Sequence, residues 1–301
     1  MKTLNASNPA TSFISNWRVY LEITKPKVVL LLVFTALVGM ALAVPGWLPL
    51  QETIFGLLGI GLASSSAAAI NHIIDQRTDA IMKRTKNRPL PQGQLTTKQC
   101  LIFAITIGVI AMVILMVLVN PLTALLTGLS LIGYAVVYTV YLKRATPQNI
   151  VIGGAAGAMP PLLGWVAVTG EVTAGALLLF LIVFVWTPPH FWALAIHRRD
   201  DYAKVDIPML PVTHGIAFTK IQILLYTILL LIVTLFPYLI AMSGLLYLAG
   251  AVILGAMFMY HVLRLFDTNR PQQPMKTFVF SINYLMWLFG VMLLDHYLLL
   301  L

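Results

Sequence analysis

The sequence predicts an all-α integral membrane protein of nine transmembrane helices, with its N-terminus in the cytoplasm and its C-terminus outside. Three observations lead there. Only 10% of the 301 residues are charged and 59% are hydrophobic, against about 25% charged in soluble domains; the mean hydropathy is +0.90. Apolar stretches long enough to cross a hydrocarbon core of roughly 30 Å, which takes about 20 residues, recur nine times. Basic residues alternate between connections, and positive charge stays in the cytoplasm.

The spans follow in order near residues 28–45, 52–75, 99–118, 121–141, 148–169, 173–196, 218–239, 243–263 and 276–298. Residues 1–16, with one Lys and no Arg, are read as a flexible leader rather than a targeting segment. The first span ends in ALAV, a cleavage-like pattern, but the polar leader before it is long and eight spans would follow. The outside turns PGWLPLQ, NP, GEV and SG carry no Lys or Arg, whereas the inside loops near 76–98, 197–217 and 264–275 hold most of them. Little chain remains outside the spans, so residues 1–301 form a single transmembrane domain. The net charge of +9 is a topology signal, which excludes a nucleic-acid partner. The one cysteine, Cys100, excludes an internal disulfide.

Two spans carry internal proline pairs, Pro160-Pro161 and Pro188-Pro189. Proline removes a backbone donor, and freed carbonyls in lipid need partners, so both helices are expected to break where they line a cavity. The small-residue stretches GLASSSAAA and GGAAGA are close-packing faces.

The scarce acids concentrate in two inside loops. After the second span the chain reads NHIIDQRTDAIMKRTKNRPLPQG, residues 71–93. Asn71, Asp75 and Asp79 are four apart, and successive members rotate only about 40° on a helix of 3.6 residues per turn. All three share one face if the helix continues past the membrane edge. An amide oxygen and two carboxylates make a hard-oxygen site of the kind Mg²⁺ shares with a substrate phosphate. Arg77, Lys83, Arg84, Lys86 and Arg88 stand ready to hold phosphate oxygens. A lone D-x3-D would read as a solvated helix end. Ionisable groups cost about 2.5–3.5 kcal/mol at a membrane helix centre, so a second cluster at the matching place is significant. That cluster is HRRDDYAKVD: His197, Arg198, Asp200, Asp201, Lys204 and Asp206. Asp200 and Asp201 are expected to hold a second divalent ion, with Arg198, Arg199 and Lys204 on phosphate. A phosphate head that belongs in a bilayer is a prenyl diphosphate. Its allylic cation needs a dry, aromatic-walled pocket, for which Tyr134, Tyr138, Tyr141, Trp165, Trp186, Phe191 and Trp192 are candidates.

The first acidic motif resembles the N-x3-D-x3-D…RT-x2-RPLP-x-G signature of the UbiA-type intramembrane prenyltransferases. Three further stretches, YLKRATPQNIVIGGAAGAMPPLLGWVAVTG (141–170), WTPPHFWALAIHRRDDY (186–202) and DIPMLPV (206–212), resemble the heme-farnesylating branch, as does TKPKVVLLLVFTALVGM (24–40). The resemblance runs from the first span to the loop before the seventh. It implies nine helices around a central cavity, with the acidic loops over its cytoplasmic mouth in a bacterial inner membrane. It implies farnesyl diphosphate and heme b as substrates, Mg²⁺ as cofactor, and heme O as product after attack by a heme vinyl group and addition of water. Carried over by position, Asn71, Asp75 and Asp79 form the first metal–diphosphate site and Asp200 and Asp201 the second, while Arg77, Lys83, Arg84 and Arg88 hold diphosphate. A downstream heme-modifying enzyme or terminal oxidase assembly is the expected partner. His197 stands where many relatives outside the branch have an aspartate.

Of the six histidines, His190, just after Pro188-Pro189, is the candidate to meet the porphyrin iron or a propionate. His72 and His197 are placed to support the metal loops. Lys143 and Arg144, at the inside end of the fourth span, are candidates for the propionates. A sister activity on a quinone precursor or chlorin shares the first motif but lacks WTPPHFWALAI and IPMLP. A transporter would place its polar residues near mid-membrane, whereas here they gather at one face.

Overall fold

A computed structural model describes residues 17–299; the leader expected at 1–16 lies outside them. Among the described residues the structure is helical and no β-strand occurs. A short helix α1 (Trp17–Ile23) meets α2 (Pro26–Leu42) at a 58° bend, and the pair forms one span by length and composition. The remaining spans are α3 (Leu50–Ile81), α4 (Thr97–Leu118), α5 (Pro121–Ile132, extended to Ala145), α6 (Asn149–Thr169), α7 (Ala174–His197), α10 (Gly215–Val233), α12 (Leu245–Leu263) and α13 (Gln273–Leu299). Short helices α8 (Arg199–Ala203) and α9 (Leu210–Thr213) lie in the second acidic loop, and α11 (Phe236–Leu239) completes the span begun by α10. The eight long helices and the bent pair fall on the nine stretches expected from hydropathy.

Local chemistry sets the helix ends. Thr96 and Gln99 form a reciprocal capping box at the start of α4. Asn120 accepts from the Thr123 N–H ahead of Pro121, and its amide donates to the Val166 and Ala167 carbonyls of α6. From Gly133 to Leu142 the α5 span winds as a π-helix, then closes through Lys143–Ala145. Ten residues is long for a π segment, which usually occurs as a single-turn bulge at functional sites.

The expected helix breaks at the proline pairs do not occur. α6 runs through Pro160-Pro161 and α7 through Pro188-Pro189 without interruption. Neighbouring helices can absorb what proline removes, and both pairs are buried. The α2–α6 crossing is closer than side chains allow. A Cβ on Gly39 would stand 1.9 Å from the Pro161 carbonyl oxygen, and one on Gly164 would stand 1.9 Å from that of Ala36. α7 lies centrally, packed against α6, α10 and α13 in the larger apolar cluster, which includes Ile182, Trp192, Phe258 and Tyr284. A second cluster joins α2, α3 and α6 through Ala36, Met40, Ile60 and Val166. Leu30, Val117, Leu129 and Leu245 point outward, as a lipid-facing belt requires.

Candidate active site

α3 is 32 residues long, far beyond the roughly 20 a bilayer core needs. If it enters the membrane near Leu50, its last turns stand at and beyond the opposite edge. Asn71, Asp75 and Asp79 occupy those turns and are all buried on one face, as their spacing predicts. Each is met by a cation from a different part of the chain. Lys143 donates through Nζ to both Asp75 oxygens at 2.7 and 2.6 Å. Arg88 donates to Asp79 at 2.6 Å. Lys25 donates to Asn71 Oδ1 at 2.6 Å, while the Asn71 amide turns its Nδ2 to Asp75 at 2.9 Å. Thr85 pins the returning loop to the Asp79 carbonyl at 3.1 Å, and Arg144 reaches the Thr78 hydroxyl at 3.2 Å.

Lys25 is the residue sequence reasoning did not assign to the site. It sits at the α1–α2 bend with φ 53°, the left-handed region that costs a non-glycine residue roughly 1–2 kcal/mol. The signal was the Lys-Pro step in TKPK, since proline stops one helix and starts another.

Beneath this cluster lies a narrow chamber of about 160 Å³, smaller than the roughly 300–1,000 Å³ of a typical ligand pocket. Lys25 and Tyr134 mark its polar end; α2, α3, the α5 span and α6 form its apolar walls. Of the aromatic candidates, Tyr134 alone lines it, with Tyr138 stacked behind at 5.4 Å. Gly153 makes room for the Tyr138 ring, which a Cβ would meet at 2.1 Å. Tyr141 is exposed, Trp165 packs in the core beside α7, Phe191 is partly buried against the same cluster, and Trp192 is buried on Tyr226.

The second acidic loop folds against the first. Met82 shares a buried cluster with Tyr202, Ile207 and Met209. Burial raises the Tyr202 phenol above its ordinary pKa, with Arg84, Arg198 and Arg88 pulling the other way. Asp201 is buried and faces Arg198 at 3.8 Å. Asp200, by contrast, leaves 88% of its side chain exposed, 3.9 Å from Arg199, and Arg199 is turned to the Pro211 carbonyl at 3.0 Å. The structure therefore does not bring Asp200 into the buried group. Asp206 is exposed with φ 52°. Arg77, Lys83, Arg84 and Lys204 are exposed and His197 is half-buried. Lys143, placed by its position to meet propionates, is bonded to Asp75.

His190 lies in the α7–α13 interface, stacked on Trp186 at 4.2 Å and on Phe278 at 4.6 Å. It does not line the chamber. Ser281 Oγ donates to the Phe278 carbonyl at 2.6 Å and lies 2.6 Å from His190 Nδ1. With the hydroxyl proton donated to the Phe278 carbonyl, His190 can donate from Nδ1, the tautomer that leaves a lone pair on Nε2. His72 is buried, with neither ring nitrogen bonded to protein.

Among the described residues no group of three or more His, Cys, Asp and Glu gathers for a metal. The candidate set is smaller: two carboxylates and an amide oxygen, ringed by cations. Hard oxygens in that number suit Mg²⁺, which keeps waters and shares phosphate oxygens with a substrate.

The model of the UbiA prenyltransferase family matches residues 32–289. The chain is 61% identical over 286 residues to the protoheme IX farnesyltransferase of Thioalkalivibrio sulfidiphilus, covering 95% of each. It is 60% identical over 298 residues to that of Methylococcus capsulatus, covering 99% of this chain and 100% of the relative. Solved structures share the fold. A digeranylgeranylglyceryl phosphate synthase superposes with TM-score 0.78 at 17% identity over 94% of this chain and 99% of that one. A UbiA homologue from Archaeoglobus fulgidus, bound to DMAPP and Mg²⁺, gives 0.65 at 16% identity over 91% and 98%. A helical membrane bundle with an amide and two aspartates over an apolar chamber, matched along most of its length, is thus a member of the UbiA prenyltransferase family.

Proposed function

We propose that this protein transfers the farnesyl group of farnesyl diphosphate to a vinyl group of heme b, with addition of water, giving heme O and diphosphate. One observation carries the reading: the buried Asn71–Asp75–Asp79 face stands at the mouth of a narrow apolar chamber, joined to it through Lys25. The names of relatives at about 60% identity supply the acceptor. The basic inside loops support an active site facing the cytoplasm of a bacterial inner membrane, with the N-terminus inside, the C-terminus outside and one domain over the whole chain.

Mg²⁺, held by Asn71, Asp75 and Asp79, would neutralise the diphosphate as it leaves. Arg88, already bonded to Asp79, with Arg84 and Lys83 on the same loop and Arg77 in the last turns of α3, offers guanidinium and ammonium donors to its oxygens. From the second loop Arg198 and Lys204 do the same, with Asp201 the buried carboxylate. Asp200 reaches an ion only by leaving its exposed position. The allylic C1–O bond breaks with its electron pair on diphosphate. The vinyl CH₂ carbon then bonds to C1, the adjacent carbon takes water, and a proton is released. Tyr134 presents a ring to the chamber near C1, where its face lowers the energy of positive charge. The walls exclude bulk water, which would otherwise capture the prenyl cation first. His190, whose Nδ1–H tautomer would leave a lone pair on Nε2, is the residue proposed to meet the porphyrin iron, and Arg144 the one for a propionate.

Purified protein incubated with heme b, farnesyl diphosphate and Mg²⁺ should yield a porphyrin heavier by one farnesyl plus one water. Asp75→Ala and Asp79→Ala should abolish that gain while the protein still inserts; undiminished turnover refutes their role. His190→Ala should weaken heme binding and leave diphosphate binding intact. Equal heme affinity removes His190 from the reading.

A further inference from the structure

The chamber has a graded wall. On α3 its lining runs Ala68, Ala67, Ser64 and Ala63 down from the mouth, and only then Ile60. On α6 it runs Ala156, Gly157 and Pro160, and only then Leu163. A Cβ added to Gly157 would meet open space. The α3 and α6 sides of the upper wall thus withhold bulk, and the first large side chains on those two helices arrive at the bottom. Ile60 and Leu163 are 1% and 2% exposed. At the level of Leu163, α2 and α6 close on each other backbone to backbone. Gly164, next to Leu163, lies against the Ala36 carbonyl, and Gly39 against that of Pro161. No tail can thread between α2 and α6 there.

The depth can be compared with prenyl chains. From Ala68 to Ile60 is eight residues, about 12 Å at the helical rise. From Ala156 to Leu163 is seven, about 10 Å. An extended chain advances about 1.2 Å per bond, as a polypeptide does over its three bonds per residue. The eleven main-chain bonds of a farnesyl group then span about 13 Å, the seven of geranyl about 8 Å and the fifteen of geranylgeranyl about 18 Å. A farnesyl group anchored at the mouth ends at Ile60; a further isoprene unit would have to pass through it.

We propose that Ile60 and Leu163, backed by the α2–α6 glycine crossing, are the specificity-determining residues that set the accepted prenyl group at fifteen carbons. This rests on the prenyl-transfer reading above, but its test is separate. Ile60→Ala should deepen the chamber. Ala63→Leu, one turn higher, should raise the floor by about one turn, or 5 Å, roughly one isoprene. Purified wild type and variants are given an equimolar mixture of geranyl, farnesyl and geranylgeranyl diphosphates with Mg²⁺. Retained diphosphates are quantified by mass, without heme, and the prenylated porphyrin is then quantified with heme. Wild type should retain the C15 compound. Ile60→Ala should move the C20-to-C15 ratio up, and Ala63→Leu the C10-to-C15 ratio up, each by at least about tenfold, the low end of what steric discrimination of apolar groups delivers. Leu163→Ala, on the facing wall, replaces Ile60→Ala if that variant fails to insert. Unchanged ratios in variants that elute and melt like wild type overturn the proposal. A length preference without any porphyrin product leaves the proposal standing and refutes the heme acceptor instead.

Discussion

Replacing Lys143 by methionine tests what holds the acidic face together before substrate arrives. Its side chain is only 14% exposed and that of Asp75 only 8%, and the two are joined through both carboxylate oxygens. Breaking a buried pair by deleting one partner typically costs about 3–5 kcal/mol, because the other charge is left uncompensated. Asn71 still donates to Asp75, and the Lys25 ammonium remains one residue away on Asn71, so the lower end of that range, about 3 kcal/mol, is expected. The exposed demand falls on any cation that can enter. Without diphosphate, Lys143→Met should therefore bind Mg²⁺ about 10–100-fold more tightly, which corresponds to about 1.4–3 kcal/mol. Titration calorimetry in detergent, with Mg²⁺ alone, reads this directly. Melting should drop in EDTA and recover with Mg²⁺, since a ligand that binds only the folded state stabilises it. Unchanged or weaker Mg²⁺ affinity in a folded variant would refute the view that Lys143 and the metal compete for Asp75.

Two further outcomes follow from packing and capping. Gly164→Ala places a methyl 1.9 Å from a backbone oxygen that cannot rotate away, so α2 and α6 must part; overpacking of this kind costs about 1–3 kcal/mol and should appear as a lower melting temperature in detergent. Asp295 is buried in α13 and accepts from the Gly244 and Tyr247 N–H groups at 2.5 and 3.0 Å, at the start of α12. Asp295→Asn leaves one acceptor oxygen for two donors and should cost about 1.5–3 kcal/mol, the worth of a hydrogen bond to a charged group. Activity per folded molecule should not change, because this network lies at the end of the bundle away from the mouth.

Much of the fold was legible in the sequence because lipid leaves few alternatives. A helix must satisfy its own backbone, so each apolar run could only be a span, and the spans stand where hydropathy puts them. The Asn71–Asp75–Asp79 face was legible from spacing alone, since α3 continues unbroken to Ile81. Arg88 stood out by its place in the same loop. The other two cations did not. Lys25 and Lys143 come from 46 and 68 residues away from their partners, and single-chain pattern carries no long-range pairing. The π segment before Lys143 has no compositional mark distinguishing it from ordinary helix. Asp200 and Asp201 were read as equals, yet neighbours on a helical turn point about 100° apart, and only Asp201 turns inward. The proline pairs misled because a missing hydrogen bond is a break only where nothing nearby compensates for it.

The wide winding of Gly133–Leu142 also fixes how many residues that segment must have. Each residue turns a regular helix by about 100°, so deleting one would swing the Lys143 ammonium well off Asp75 even though every side chain were retained. In this stretch, insertions and deletions threaten the Lys143–Asp75 pair, which substitutions that keep the chain length leave in register.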